Sequence, residues 1–381
     1  MRKCKLSECV KEINDRTIEN NQYEVLTSSK SGIFSQEEYF DKQVASKDNT
    51  GYKIIKNGQF TYRSMSDSGT FTINRLEDKE IGIVSPAYPV FEAINIDAEF
   101  LKYYFKSELF NKAIINLSQG STRTALKFKD LIDIEIYLPE IEEQKRIVKI
   151  LKNNDQIIEK YDELIKEKEQ FIKSQFVEMF EKDESIKKTT VNNVADIFLG
   201  LTYTPKYTED GIPFLSSKNI SSQQLDLEDI KYISQDEYEK VTNNAKPIYG
   251  DILFSRVGSN LGNPTIFDTN LKCAIFVSLG YLRIKNKNEF DNIFVRDWMK
   301  SENFWHQVFN KVSGGAKQNL NTNWLRNFEI PNPSIEKQNK YKNIVQLIDK
   351  QKFNYINKIK LLNEIINIFL GGKKIWTKKY Q

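Results

Sequence analysis

One histidine, His306, and three cysteines, Cys4, Cys9 and Cys273, are the only side chains in the 381-residue sequence suited to imidazole or thiolate chemistry. A zinc site would need nearly all of them, and none stand at ligand spacing. The odd number of widely spaced thiols argues against a disulfide framework and fits a reducing compartment. His306 lies between Trp305 and Gln307 in a stretch of helical pattern, which favours a structural role over Ser-His-Asp or Cys-His catalysis. Neither the Gly-x4-Gly-Lys-Ser/Thr loop of nucleotide triphosphate sites nor the Gly-x-Gly-x-x-Gly turn of dinucleotide sites is present. Asn263-Pro264-Thr265-Ile266 reads as a turn, and Glu77-Asp78-Lys79-Glu80 as a solvated loop rather than a nuclease site. The expectation is a non-catalytic chain with no catalytic residue, no metal and no cofactor of its own.

The elements that would position any binding group are those of an ordinary globular protein. At about 150 residues per domain the length accommodates roughly two domains, enough to bury cores without disulfides or metals. Lys and Arg number 56 against 52 Asp and Glu, so the net charge of +4 is only mildly basic. No apolar run approaches the roughly 20 residues of a bilayer crossing. The start of the chain, Met1 to Cys9, lacks the apolar core of a signal peptide. The expected setting is cytoplasmic, without membrane contact.

A duplication organises the chain. At an offset of 194 residues, Asp97, Phe100, Lys106, Ser107, Glu108, Phe110 and Asn116 meet Asp291, Phe294, Lys300, Ser301, Glu302, Phe304 and Asn310. Leu126, Leu131, Ile136, Pro139, Ile141, Glu142 and Gln144 meet Leu320, Leu325, Ile330, Pro333, Ile335, Glu336 and Gln338. The register continues through Asp155/Asp349, Tyr161/Tyr355 and Lys166/Lys360, with a one-residue slip at Ser118 and Gly120 against Ser313 and Gly315. Each copy begins with a variable, β-rich region in which short runs such as Tyr52-Lys53-Ile54-Ile55 and Asp251-Ile252-Leu253-Phe254 alternate with turn residues. A helix follows, N-capped by Asp97 or Asp291, whose aromatic stripe is core-forming.

Each copy ends in a long helix after Pro139 or Pro333. Ile147, Leu151, Asn154, Ile158, Tyr161, Ile165, Lys168, Ile172 and Gln175 recur at spacings of three and four, as do Ile344, Ile348, Gln351, Tyr355, Ile359, Leu362, Ile366 and Phe369. These are coiled-coil seams, with Asn154 and Gln351 as polar members that could set register. Two such helices are expected to pack on each other, spanning on the order of 54 Å and holding two globular domains apart.

Two related but divergent domains at fixed separation suit a ligand with two sites at fixed spacing, as DNA offers along one face. The chain also resembles the specificity subunits of type I restriction-modification systems. The resemblance rests on Gln119-Gly120-Ser121-Thr122, Leu126, Leu131, Ile136, Leu138-Pro139, Ile141-Glu142-Glu143-Gln144 and Ile147 in the first copy. It extends to Tyr52-Lys53-Ile54-Ile55, Gly58-Gln59-Phe60-Thr61-Tyr62 and Gly82-Ile83-Val84-Ser85-Pro86-Ala87-Tyr88. In the second copy, Gly211-Ile212-Pro213-Phe214-Leu215, Gly250-Asp251-Ile252-Leu253-Phe254-Ser255 and Gly258-Ser259 support it. Gly314-Gly315-Ala316-Lys317-Gln318-Asn319 and Lys337 depart from the common pattern there.

The resemblance implies an α+β fold: two β-rich target-recognition domains separated by two long antiparallel coiled-coil helices, related by an internal pseudo-twofold repeat. The expected division is 1–140 and 184–334 for the recognition domains, 141–183 and 335–372 for the spacer helices, and 373–381 as a basic tail. It also implies double-stranded DNA with a bipartite, asymmetric target as ligand, each domain reading one half. Two methyltransferase subunits would dock on the helices, and restriction and motor subunits would join for cleavage. S-adenosylmethionine, ATP and Mg would belong to those partners. A coiled-coil adaptor that binds proteins rather than DNA, or a specificity subunit serving a methylation-only assembly, are the alternative readings.

The residues expected to touch DNA follow from chemistry. Arg or Lys can pair with guanine and Asn or Gln with adenine in the major groove, while hydroxyls and Lys mostly hold phosphates. Loops rich in such groups contain Arg63, Ser64, Gln119, Ser121, Thr122, Arg123 and Thr124 in the first copy. Arg256, Ser259, Asn260, Lys317, Gln318 and Asn319 are their counterparts in the second, with Lys218 and Asn219 as weaker candidates.

Overall fold

The structure is a computed structural model that describes residues 2–39, 48–66, 70–117, 124–220, 225–227, 229–257, 261–311 and 320–370. It divides into two compact units, Met1–Asp162 with Tyr355–Gln381, and Glu163–Asn354. Both boundaries between the units fall inside the long helices, so each helix gives one part to either unit.

Both units are built alike, including the regions where the two copies share no sequence pattern. In unit 1 an antiparallel sheet runs in the order Val10–Ile13, Val90–Ala93, Phe60–Tyr62, Ile73–Arg75. In unit 2 the order is Ala195–Leu199, Leu279–Ile284, Ile252–Ser255, Pro264–Ile266, again antiparallel. A separate two-stranded ribbon closes each unit: Arg2–Lys5 pairs with Glu135–Leu138, and Lys188–Thr190 with Glu329–Pro331. The repeat-related Ile136 and Ile330 sit opposite Cys4 and Thr189. Just beyond the ribbons, Leu6 N donates to Ile134 O at 2.9 Å and Val191 N to Phe328 O at 3.0 Å. Beyond these, unit 1 has the antiparallel pairs Leu26–Ser29 with Gly32–Ser35 and Lys53–Lys56 with Ile81–Val84, and unit 2 a four-stranded sheet in the order Tyr207–Thr208, Lys231–Ile233, Ile212–Leu215, Ala274–Ile275.

The matched polar residues turn out to be staples. Gln144 accepts from Asp97 N and donates to Pro139 O, both at 2.8 Å, and is almost fully buried. Gln338 does the same with Asp291 N at 2.8 Å and Pro333 O at 3.0 Å. Each glutamine ties the start of a long helix to the cap of the short helix ahead of it. Asp97 caps Phe100 N and Asp291 caps Ile293 N, each at 2.9 Å, satisfying donors that a helix start leaves free. The aromatic stripes are core, as the pattern predicts: Phe100, Leu101, Tyr104 and Phe105 are buried in unit 1, and Phe294, Val295, Trp298 and Met299 in unit 2.

The long helices run Ile141–Phe176, continued by a π-helical turn Val177–Glu181, and Ile335–Leu370. In unit 1, Leu370 lies in the same core as Ile147 and Leu151, and Tyr161 stacks on its repeat mate Tyr355 at 5.2 Å. In unit 2, Glu169 pairs with Lys352 at 2.7 Å and Phe176 packs on Tyr341 at 5.6 Å. One helix ascends as the other descends, so they are antiparallel. The seam differs from expectation at one end: Ile344 is only half-buried, while Tyr341, Val345 and Ile348 are buried. There the helix faces a domain core as well as its partner helix, which demands a broader apolar face than a heptad seam. Asn154 is buried with its Nδ2 lacking a hydrogen-bond partner among the described residues, and Gln351 is half-buried. Among the described residues no helix is long and apolar enough to cross a membrane.

Candidate nucleic-acid interface

In unit 1 the strand Phe60–Tyr62 leaves the sheet and leads straight into Arg63 and Ser64. Two bonds fix the exit: Tyr62 Oη donates to Leu126 O at 3.1 Å, and Leu126 N donates to Ser64 O at 3.0 Å. Met65–Ser66 then pairs with Thr124–Ala125, bringing Thr124 opposite Ser66. The result is a short scaffold that presents Arg63 to solvent, with Ser64 half-buried beside it. The expected contacts Gln119, Ser121, Thr122 and Arg123 lie outside the described residues.

Unit 2 builds the same exit with different chemistry. After the strand Ile252–Ser255, Leu320 N donates to Arg256 O at 3.0 Å, matching the bond from Leu126 in unit 1. The carbonyl of Leu320 is met by the guanidinium itself: Arg256 Nε donates to it at 3.4 Å, and Nη1 donates to Val277 O at 3.2 Å. Partial burial pulls the pKa of Arg256 down from its ordinary value. This side chain holds two backbone carbonyls, which leaves less of its fork for a base edge. Ser259, Asn260, Lys317, Gln318 and Asn319 lie outside the described residues.

Lys218 and Asn219 share the 3-10 turn Ser217–Ile220 but not a role. Lys218 is exposed. Asn219 is buried, accepts from Ser216 N at 2.8 Å and donates to Asp226 O at 3.1 Å. Both ends of its amide thus help to shape the loop.

The described arginines separate cleanly by partner. Arg2, Arg75, Arg146, Arg283 and Arg296 pair with Glu8, Glu99, Glu143, Asp251 and Asp297. Arg16 donates to Gly51 O at 2.8 Å, and Arg256 to the carbonyls above. Two remain without a carboxylate or backbone-carbonyl partner among the described residues: Arg63 in unit 1, and Arg326 in unit 2, whose Nη1 donates to the side-chain oxygen Asn192 Oδ1 at 3.4 Å. Arg326 lies outside the residues expected to touch DNA, because it sits in the helix Thr322–Arg326 rather than in a polar loop. The repeat held the signal: the residue at the same offset in unit 1 is the apolar Ile132.

The thiols offer no exposed nucleophile. All three cysteines are free and buried, with Cys4 Sγ and Cys9 Sγ 3.9 Å apart. Burial pushes Cys9 and Cys273 up to about 12. Among the described residues no three His, Cys, Asp or Glu cluster as metal ligands would.

Residues 12–170 match the family described as "Type I restriction modification DNA specificity domain". Over 317 residues the chain is 23% identical to a protein of Methanocaldococcus jannaschii named "Type I restriction enzyme MjaVIII specificity subunit", covering 77% of this chain and 74% of that one. A solved chain from a study of complex assembly and conformational transition of the type I R-M system superposes with a TM-score of 0.58 at 17% identity, covering 97% of this chain and 96% of that chain. The S subunit of a type I restriction-modification system from M. genitalium gives a TM-score of 0.49 at 17% identity, covering 97% and 94%. The first of these structural likenesses shows a shared fold.

Proposed function

We propose, from the match of residues 12–170 to the type I restriction modification DNA specificity domain, that this chain is the sequence-reading subunit of a type I assembly. Each unit reads one half of a bipartite, asymmetric target in double-stranded DNA, and the two long helices set the unread spacer. The observation that carries this reading is the repetition of one sheet order, one ribbon and one glutamine staple in both units, while the side chains at the strand exits differ. A common scaffold with divergent tips is what two different half-sites require.

The helices also dock methyltransferase subunits, two per chain, with restriction and motor subunits joining for cleavage. Exposed apolar side chains in each unit support this: Leu347 and Phe353 on the unit 2 part of the second long helix, at 61% and 62%, and Leu361 and Ile368 on its unit 1 part, at 58% and 46%. Large apolar side chains left exposed together on a helix are commonly an interaction surface. S-adenosylmethionine, ATP and Mg are held by those partners, and this chain contributes recognition rather than catalysis. An assembly that methylates without restricting would use the same chain in the same way.

The test is to co-express the full chain with its cognate methyltransferase and map modified adenines across the host genome. A split motif with two defined halves and a fixed gap is expected. A soluble complex that leaves the genome unmodified and binds no DNA would favour the protein-adaptor reading.

A further inference from the structure

Arg326 opens onto a cavity of about 410 Å³ that lies wholly within unit 2. Three separate stretches wall it: residues 197–203 at the end of an edge strand, Thr242 and Asn244 beside the 3-10 turn Asn243–Ala245, and Thr322 and Arg326 on the helix Thr322–Arg326. Gly200 allows the first wall to run close against its neighbour, since a Cβ there would sit 2.3 Å from the backbone of Phe276. Thr202, Thr242 and Thr322 supply hydroxyls, Asn244 a carboxamide and Arg326 a cation; among the described residues no other cation and no carboxylate lines the cavity. Tyr203, 48% exposed, adds a phenol.

The duplication provides an internal control. Thr322 and Arg326 stand where unit 1 has Phe128 and Ile132. Those two pack against the unit 1 core, with Phe128 5.3 Å from Phe91 ring to ring. The shared scaffold is thus satisfied by apolar side chains at these positions, and the polar, positively charged lining is particular to unit 2. The helix also begins three residues after Asn319, the last of the loop residues expected to touch DNA.

We propose that this cavity seats a backbone phosphate of the DNA in the half-site read by unit 2. Arg326 supplies the charge, and Thr322 and Asn244 supply hydrogen-bond donors. The proposal rests on the DNA-reading function above. A half-buried guanidinium, held back by Asn192, has little reach into a groove but suits an oxygen brought to the surface. Phosphate contacts of this kind fix register without reading sequence.

The test uses the full chain in complex with its methyltransferase and duplexes with and without the mapped motif. Arg326→Ala should weaken binding about tenfold on both duplexes and lower the slope of log affinity against log salt by about 0.9. The methylated motif should stay the same. Arg326→Lys should restore most of the slope. Thr322→Val, which keeps the charge, should weaken binding in the same direction but less, and carries the test if the alanine variant does not fold. Wild-type behaviour of both Arg326→Ala and Thr322→Val, while the wild-type complex binds its motif, overturns this proposal alone. Relaxed preference at one base pair would make Arg326 a base reader, and loss of methyltransferase co-purification would make the cavity a protein-docking site; either result also overturns it. A wild-type complex with no preference for its motif would overturn the DNA reading, and this proposal with it.

Discussion

Where each unit lets its chain leave the central sheet, a repeat-related leucine carbonyl needs a donor: Tyr62 supplies a hydroxyl in unit 1, and Arg256 a guanidinium in unit 2. A second contrast lies where the short capped helix meets the long one. Unit 1 places Tyr103 there, donating to Asp155 at 2.6 Å beside the buried Ile147. Unit 2 has Asp297 at the matching position, buried and gripped by Arg296 at 2.7 and 2.9 Å and by Tyr341 Oη at 2.9 Å. The backbone demands are the same in both copies, and unrelated side chains meet them. Equivalence of loops therefore does not carry over to equivalence of contacts: Arg256 holds backbone carbonyls in unit 2, while Arg63 in unit 1 has no carboxylate or carbonyl partner among the described residues.

This comparison is most open to attack at Asp297. Asp297→Ala leaves Arg296 without its buried partner and should destabilise unit 2 by about 3–5 kcal/mol. Tyr103→Phe removes one hydrogen bond and should cost unit 1 about 1 kcal/mol. Denaturant unfolding combined with limited proteolysis would assign each loss to its unit, and equal losses would break the contrast.

Arg256→Ala leaves two carbonyls without their donor and should cost unit 2 about 1–3 kcal/mol, with Tyr62→Phe near the lower end in unit 1. Arg63→Ala, by contrast, should shift stability by no more than about 0.5 kcal/mol and weaken DNA binding by the assembled complex. An Arg63→Ala complex that binds normally but unfolds early would reverse the roles assigned to these two arginines.

The smallest effect is one of pH. The neighbouring Arg296 charge and the hydrogen bonds hold the Asp297 carboxyl below its ordinary value, outweighing burial, which pushes it up. An aspartate depressed in the folded state stabilises fully above its unfolded value of about 4, and the contribution disappears as pH falls through the folded value. The stability difference between wild type and Asp297→Asn should therefore shrink as the medium is acidified below about 4. A constant difference from neutrality to strong acid would mean that the carboxylate charge contributes nothing.

Much of this was legible beforehand because the repeat imposed two independent tests on each position. The Pro139/Pro333, Gln144/Gln338 and Asp97/Asp291 matches mark one staple, and the stripes from Phe100 and Phe294 mark two cores. The candidate contacts were less legible, because polarity in a loop does not distinguish exposure from backbone bonding. Asn219 and Arg256 have the composition of contact residues, yet their polar groups bond to backbone. Arg326 stands in a helical pattern, which carries no loop signal. Only the register against Ile132 marks it, and that register acquires meaning once the core position of Ile132 is known.

The central claim, that each unit reads its own half of the target, is tested most directly by giving one chain two copies of the same reader. The bonds from Leu6 N to Ile134 O and from Val191 N to Phe328 O define equivalent boundaries, so residues 6–134 can replace residues 191–328. Co-expressed with the methyltransferase, this chimera should modify a symmetric motif made of two inverted copies of the half read by unit 1. A modified motif that still contains the half assigned to unit 2 would contradict the account.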